Sequence, residues 1–397
     1  MVNQEASGRR VFPAVAAVER FCVLHLGGPT DSPIATSMLN FGVSGAQEGA
    51  AHLWSQTDLR IVSPRTSTVL STGDEDEIRL ALDLHGRFGT LDFSEPDGSN
   101  PYHLKYSRLF DSSIAKAKGW LYRPDALEAR GYALGPDQLY RHQSLPTMVP
   151  VLEGQLANRW NHRARTYEGY IGAGKYGRKP NAPVSNSKQL EDPAYEIMPR
   201  YWMPIDVAAA RISDVADADD VFMGMRKIGR PWTDRRLLRA MLLPKYPATD
   251  ALPVFAVPKP LVFAALAVLN SMTMDFLMRI RMATGNIPPW LLSQCASPMP
   301  DQVPQRAQEI AARLSVTSAS VSDSLLEPIA TWDEPEREAL DAECDAWIAV
   351  AYGLTIMDYE LVLNHFKLLE RIETREVGEY RSKRLRLEAF EEIGGGR

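Results

Sequence analysis

The pattern of apolar positions predicts long helices mainly in the last third of the chain. Residues 261 to 282 are apolar on most helical faces, so we predict one buried helix there. Residues 334 to 352 form a second helical segment, with Asp333 at the capping position and Gly353 where a left-handed C-terminal cap belongs. A final pair of helices is expected to start near Thr355 and Gly378.

The first hundred residues mix the signals of strands and helices. Residues 20 to 26 (RFCVLHL) are apolar enough to predict a short strand. Residues 74 to 88 predict a helix, because four acidic residues open its first turn and suit the positive end of the helix dipole. Gly86 and Gly89 then supply a stop.

Residues 131 to 257 consist of short apolar pieces separated by turn-forming residues, and prolines such as Pro180, Pro204 and Pro231 discourage long helices. Residues 179 to 193 have almost no apolar anchor, which favours either an exposed loop that orders on a partner or a solvated linker. The chain as a whole is predicted to be of the α+β class. We divide it into a mixed N-terminal region (1–125), a loop-rich basic recognition region (126–257) and a helical C-terminal region (258–397).

Charge is segregated along the 397 residues, whose overall net charge is −6. Residues 1 to 100 also sum to −6, whereas residues 141 to 188 carry eight arginines and lysines against two acids, a net charge of +6. Residues 223 to 245 carry seven against one, again +6. Two basic runs in an acidic chain favour an anionic partner such as nucleic acid.

The cysteines and the lengths of the apolar runs indicate in which cellular compartment the protein is found. The three cysteines are far apart and never at ligand-like spacing, which argues against a disulfide scaffold and a cysteine-rich zinc site. The longest apolar run, residues 261 to 269, is shorter than the roughly 20 residues of a membrane span. We therefore expect a cytoplasmic protein without a membrane partner.

Two segments resemble catalytic motifs but lack the required context. Residues 172 to 177 match GxGxxG, yet Pro180 and Pro183 follow at once, where a phosphate-binding loop needs a helix. Residues 286 to 290 (NIPPW) approach the Asn-Pro-Pro-aromatic motif of adenine methyltransferases, but Ile287 stands where the hydrogen-bonding residue must precede the prolines. The seven histidines include no pair at i, i+4, so we predict neither a catalytic residue nor a metal site in this chain.

Aromatic and amide side chains accompany both basic runs. Residues 159 to 167 combine three arginines, an amide, an imidazole and two aromatic rings. Arginine can bind guanine edges or phosphates, Asn161 suits an adenine edge, and a tyrosine can stack on an extruded base. The alternative is a solvated basic face over a buried Trp160, and Tyr201 and Trp202 are better explained as core residues.

These clusters give the predicted DNA-binding residues. They are Arg159, Asn161, His162, Arg163, Arg165, Tyr167, Lys175, Tyr176, Arg178, Lys179, Arg200, Arg226, Lys227, Arg230, Arg235 and Arg236.

At these residues the chain resembles the C-terminal, target-recognition half of type IIG-like adenine-specific DNA methyltransferases. Several blocks agree in order, among them VPVLEGQLANRWNHRARTYEG at 149–169, PRYWMPIDVAAARI at 199–212, MGMRKIGRPWTDRRLLRAMLLP at 223–244, LVFAALAVLNSMTMDFLMRIR at 261–281 and LDAECDAWIAVAYGLTIMDYELVLNHF at 340–366. The family's glycine-rich cofactor motif and its Asn-Pro-Pro-aromatic motif do not occur in this sequence.

The resemblance implies a division of labour between two polypeptides or modules. This chain would hold double-stranded DNA in register, and a catalytic methyltransferase chain would bind S-adenosylmethionine, flip an adenine and methylate it. No cofactor is expected in this chain. Further partners would be other subunits of a restriction-modification or phage-defence system.

Two other functions stay open from the sequence. The chain could be a nuclease or a methyltransferase in its own right, with an unrecognised active site in residues 1 to 100, where nuclease motifs are short enough to escape notice. It could also be a non-catalytic scaffold whose basic surface meets an acidic protein.

Overall fold

The fold is known from a computed structural model, which describes residues 33–37, 52–93, 100–168, 181–282 and 285–394. Helices and antiparallel sheets are both present, so the predicted α+β class is confirmed. The strand predicted at residues 20 to 26 lies outside the described residues.

The described N-terminal part contains one small sheet and two helices. Strands β1 (Ile34–Thr36) and β2 (His52–Trp54) pair antiparallel, and helices α1 (Gln56–Val62) and α2 (Glu75–Arg87) follow. The side chain of Asp74 caps α2 by accepting hydrogen bonds from the amides of Asp76 and Glu77, at 3.0 and 3.2 Å. The helix predicted over residues 74 to 88 is therefore confirmed.

A central four-stranded antiparallel sheet is buried on both faces. It has the order β3-β10-β8-β9, and its strands are β3 (Lys105–Ser107), β8 (Asp220–Met225), β9 (Ala240–Leu243) and β10 (Val254–Pro258). Alternate residues of β8 and β10 belong to different cores: Met223 and Phe255 face the larger one, and Phe222 and Val254 face the second.

A second antiparallel sheet packs beyond the second core. It has the order β4-β5-β6-β7, with β4 (Ala133–Leu134), β5 (Tyr140–Arg141), β6 (Met148–Val151) and β7 (Tyr201–Pro204). Val149 and Met203 face the second core, whereas Met148 and Trp202 face a third, smaller one. Trp202 is fully buried, which confirms its interpretation as a core residue. The short helices of this region are α3 (Ser112–Ala117), α4 (Pro124–Glu128), α5 (Ser187–Glu191) and α6 (Ile205–Ser213).

The helices that follow β10 lie on the other face of the central sheet, and the first α-helix among them packs against β8 and β9. They are α7 (Val262–Asn270), α8 (Met272–Arg279), α9 (Pro289–Leu292), α10 (Gln305–Ser315), α11 (Ala319–Leu325), α12 (Glu334–Ala351), α13 (Ile356–Asn364), α14 (Lys367–Val377) and α15 (Arg381–Glu392). Asp333 caps α12 and Thr355 caps α13, and Gly353 has the left-handed φ of 62° predicted for it. A pair of helices was expected to start near Thr355 and Gly378, and the structure has three helices there. The chain turns at Phe366, which separates α13 from α14, and Gly378 ends α14 before α15 begins at Arg381.

The single helix predicted over residues 261 to 282 is wrong. Ser271 adopts an extended conformation (φ −71°, ψ 154°), and its hydroxyl accepts a hydrogen bond from the amide of Met274 at 3.1 Å, so it begins a new helix. Helices α7 and α8 are consequently bent by 60°. No single helix in the described ranges is long and apolar enough to cross a membrane, and this bent pair meets the length and composition test only when its two halves are joined.

The three regions assigned from the sequence meet at the central sheet. Strand β3 comes from residues 1–125 and strands β8, β9 and β10 from residues 126–257, and the C-terminal helices pack on one face. The larger core contains side chains from all three regions, for example Trp54, Met223 and Phe276. The cores therefore do not follow the predicted boundaries at 125 and 257.

Replacing Gly154 with alanine is expected to lower the free energy of unfolding by about 1–3 kcal/mol. A Cβ atom at this position would lie 2.4 Å from the carbonyl oxygen of Ala251, which is main chain and cannot move aside alone. Urea denaturation followed by circular dichroism measures the change. The matched control is Gly86→Ala in α2, where nothing lies within 4 Å, and it should raise the free energy by about 0.4–1 kcal/mol. Equal stabilities for the two variants would contradict this packing.

Candidate nucleic-acid interface

The second basic run forms the connection between β8 and β9. The last pair of the two strands joins Met225 to Ala240, and the amide of Arg226 then donates to the carbonyl of Arg239 at 3.2 Å. Residues 226–239, which we call the basic loop, contain no helix or strand. A loop fixed on a rigid sheet is a common place for binding residues.

Asp275, in helix α8, holds the end of the basic loop from inside the core. Its carboxylate is fully buried and accepts hydrogen bonds from the amide of Leu237 at 2.8 Å and from Nε of Arg236 at 3.0 Å. Nε of Arg279 donates to the other carboxylate oxygen at 2.7 Å. Burial alone would raise the pKa of Asp275, but the two guanidinium groups outweigh it and hold the pKa below its usual range.

Arg279 holds the middle of the same loop. Its guanidinium donates to the carbonyls of Pro231 at 2.6 Å, Asp234 at 2.9 Å and Arg235 at 3.3 Å. The loop therefore has its main chain fixed by two side chains one helical turn apart on α8, before any ligand binds.

Asn270, the last residue of α7, joins the two basic runs. Its side chain exchanges two hydrogen bonds of 3.0 Å with the main chain of Ala240. Its main-chain carbonyl oxygen accepts a hydrogen bond from Arg159, in the first basic run, at 3.3 Å, and another from Arg236, in the second.

Two acids of helix α12 complete this support. Asp341 binds the guanidinium of Arg159 and accepts from Nε1 of Trp160 at 2.8 Å and from Arg386 at 2.6 Å. Asp345 accepts from Nε of Arg386 at 2.8 Å. Burial would raise the pKa of Asp341, but Arg159 and Arg386 lower it well below the usual range, so the carboxylate stays charged.

Both basic runs line one cleft with a volume of about 760 Å³. Its walls carry eight arginines and four acids: Arg159, Arg165, Arg226, Arg235, Arg236, Arg239, Arg337 and Arg386, with Asp234, Glu334, Glu338 and Asp341. Arg337 lies over the ring of Trp332 at 3.8 Å from its centroid. The cleft thus has the surplus of arginine expected of a site for an anion.

Four predicted DNA-binding residues are buried and bind the protein itself. The exposed fractions of Asn161, His162, Arg163 and Tyr167 are 7, 3, 0 and 6 %. Arg163 donates to main-chain carbonyls of residues distant in sequence, including Tyr195 at 2.9 Å and Thr317 at 2.7 Å. The side-chain Oδ1 of Asn161 accepts a hydrogen bond from the amide of Arg163 at 2.7 Å, and the side chain is too buried to meet an adenine edge. We correct the prediction for these four residues, because none presents its polar group to the surface.

Three further predicted residues are partly exposed but are held by carboxylates. Arg159 is paired with Asp341 and Arg236 with Asp275. Arg200 binds Glu153 at 2.9 Å and lies over the ring of Tyr201 at 4.6 Å. Each of the three is paired with a carboxylate of the protein. We reassign Arg159 and Arg236 to support of the cleft, and Arg200, which does not line the cleft, to its pair with Glu153.

The remaining described residues of the prediction reach the surface. Arg230 and Arg235 are exposed, and Arg165, Arg226 and Lys227 are partly exposed. Weak pairs engage Arg235 with Glu376 at 3.1 Å and Lys227 with Asp250 at 3.5 Å. The predicted residues Lys175, Tyr176, Arg178 and Lys179 lie outside the described residues, as does the GxGxxG segment.

Sequence reasoning missed Arg239, Arg337 and Arg386 as residues of the cleft. Arg239 could have been found, because it belongs to the second basic run and sits opposite Arg226 once residues 225 and 240 are paired. Arg337 and Arg386 lie in helices that the sequence identified only as part of the C-terminal bundle.

Within the ranges that the structure describes, no group of three or more His, Cys, Asp and Glu side chains is arranged to hold a metal ion. Comparison with models of protein families, with curated proteins and with solved structures finds no match in any of the three.

Replacing Asp275 with asparagine is expected to lower the free energy of unfolding by about 3–5 kcal/mol, because Arg236 and Arg279 would lose their buried counter-charge. Chemical denaturation measures this loss. The matched control is Asp83→Asn, whose exposed pair with Arg87 is worth about 0–1 kcal/mol. If both variants lose the same small amount, Asp275 does not hold the loop.

The stability should also fall with acid in a manner that depends on Asp275. A carboxylate with a lowered folded-state pKa contributes its full stability above the unfolded pKa of about 3.9 and loses it as the pH falls through the folded value. We expect the free energy of unfolding of the wild type to decline below about pH 4, and that of Asp275→Asn to decline less steeply. Parallel curves for the two proteins between pH 5 and pH 2 would refute this role.

Proposed function

We propose that this chain is the double-stranded DNA recognition subunit, or recognition half, of an adenine-specific DNA methyltransferase in a restriction-modification or phage-defence system. Methyl transfer from S-adenosylmethionine would be carried out by a partner catalytic chain in the cytoplasm. The observation that carries the proposal is the convergence of both basic runs on one arginine-lined cleft.

The chemistry of the cleft suits a polyanion. Arginine binds phosphates and guanine edges through paired N–H donors, and a fixed loop presents those donors without a large loss of entropy. The exposed side chains of Arg230, Trp232 and Arg235 project from the basic loop, whose main chain Arg279 holds. A basic loop fixed in this way suits the task of holding a duplex in one register.

The family resemblance supports the same proposal, because its blocks contain the residues that build the cleft. The block at 261–281 supplies Asn270, Asp275 and Arg279, which fix the basic loop. The block at 340–366 supplies Asp341 and Asp345, which hold Arg159 and Arg386. These roles give a physical reason why a recognition domain would need those residue types in that order.

Duplex DNA is expected to bind the purified chain with a strong dependence on salt. If about six phosphates are neutralised, the logarithm of the association constant should fall with the logarithm of salt concentration with a slope of about −5. Arg230→Gln should weaken binding about 3- to 10-fold, because Arg230 is exposed and makes no ion pair with any described residue. Fluorescence anisotropy with labelled duplexes at several salt concentrations measures both effects.

The matched control is Arg79→Gln, an exposed arginine of α2 that pairs with Asp76 and lies outside both basic runs. Its affinity should equal that of the wild type. Salt-independent binding, or equal losses in the two variants, would overturn the proposed DNA interface.

The division of labour has its own test. The chain alone, incubated with duplex DNA and S-adenosylmethionine labelled in the methyl group, should transfer no label to adenine. Addition of the catalytic partner should restore sequence-specific transfer. Label transferred by the chain alone would instead support an active site within it.

A further inference from the structure

Arg226 differs from the other arginines of the cleft because its side chain has no hydrogen-bonding partner among the described residues. All the others that line the cleft donate to a carboxylate or to a main-chain carbonyl, for example Arg165 to the carbonyl of Ala182 at 2.7 Å and Arg337 to that of Leu314 at 2.8 Å. Arg226 is nevertheless only partly exposed. A partly desolvated cation without a partner is unfavourable unless something else neutralises it.

The neighbours of Arg226 add positive charge. Arg239 lies directly opposite across the hairpin, with its carbonyl 3.2 Å from the amide of Arg226, and Arg165 lines the same cleft. The nearby acid, Asp234, is already 3.1 Å from Arg239. Nε of Arg239 is buried and has no partner. The carboxylate of Asp234 thus pairs with Arg239 and also interacts with the charge of Arg226, and Arg165 adds a third positive charge nearby.

The electrostatics of Arg226 agree with this geometry. Burial, followed by the charges of Arg239 and Arg165 and opposed in part by Asp234, lowers its pKa to about 10. The side chain is still protonated at neutral pH. The cluster therefore keeps its positive charge at neutral pH, and Asp234 offsets only part of that charge.

We propose that Arg165, Arg226 and Arg239 form a phosphate-binding subsite, in which one phosphate group supplies the counter-charge that the fold leaves out. Guanidinium groups bind phosphate oxygens through pairs of N–H donors, and three such groups around a concave surface can surround a single tetrahedral anion. The subsite lies at the base of the basic loop, where its main chain enters the central sheet.

The phosphate could come from a DNA backbone or from a free nucleotide, since both present the same oxygen atoms. This inference rests on the proposed function for its favoured source, a backbone phosphodiester of the bound duplex. The subsite itself requires only the phosphate, so it can be tested apart from DNA.

Arg226→Gln is the decisive variant. It should weaken duplex binding about 10-fold and make the salt slope less steep by about 1, because one phosphate contact is lost. Its thermal unfolding temperature should equal or exceed that of the wild type, because an unpaired charge is removed. A residue with a purely structural role would lower that temperature. Arg79→Gln is again the matched control and should leave both measurements unchanged.

A duplex in which single phosphates are replaced by neutral methylphosphonates identifies the source. One replacement should weaken binding to the wild type but have no effect on Arg226→Gln. Sodium pyrophosphate and AMP form the second arm, with binding measured by calorimetry. Loss of pyrophosphate or AMP binding in Arg226→Gln, with no effect from any methylphosphonate, would assign the subsite to a free phosphate compound.

The outcomes separate the two proposals. If Arg226→Gln binds duplex, pyrophosphate and AMP as the wild type does, the subsite is refuted while the DNA function stands. If the wild type binds pyrophosphate through Arg226 but binds no DNA, the subsite stands and the DNA function fails. If the wild type binds none of these probes, both are refuted.

Discussion

The carboxylate of Asp275 is fully buried between helix α8 and the loop that connects β8 to β9. Because no water reaches it, other groups of the protein must donate its hydrogen bonds. Two guanidinium groups and the amide of Leu237 do so. A buried carboxylate is tolerated only when its lone pairs are filled, so the position of the loop and the position of the helix determine each other. The surface of the cleft is therefore tied to the packing of the core, and the basic loop keeps its shape without a ligand.

The same chemistry limits how much positive charge the cleft presents. Each basic run carries a net charge of +6 within its own segment, but Asp275, Asp341 and Asp345 reach these arginines from distant helices. Most guanidinium groups near the core pair with these carboxylates and so stabilise the site instead of facing a ligand. The charge that is left for a ligand belongs to a few side chains at the rim and to the cluster around Arg226, which makes binding depend on position rather than on total charge.

Local features of the fold could be predicted from the sequence, and distant pairings could not. Asp333 caps α12 and Gly353 follows its end as expected, because capping depends on residues within one turn of the helix end. The break at Ser271 escaped prediction because the apolar pattern continues through it, whereas the serine hydroxyl caps the second helix. The sequence predicts that Arg163 binds DNA, because it lies in a basic cluster and arginine binds phosphates or guanine edges, but its carbonyl partners reach as far along the chain as Thr317. The sequence also could not predict that the two basic runs meet, since this depends on the main-chain oxygen of Asn270, which accepts hydrogen bonds from Arg159 and from Arg236.

Arg226 and Arg163 show how the same residue type has opposite consequences in one site. Arg163 is fully buried, and main-chain carbonyl oxygens accept hydrogen bonds from both of its terminal guanidinium nitrogens, so it stabilises the fold and presents no donor to a ligand. Arg226 is less buried and its side chain lacks such partners, so the folded state carries a positive charge there that an external anion would stabilise. An anion that binds there stabilises the folded form by mass action, and it does so at the point where the loop, the sheet and, through Asp275, the helices are joined. Ligand binding and the stability of the cleft therefore both depend on the same excess of positive charge around Arg226.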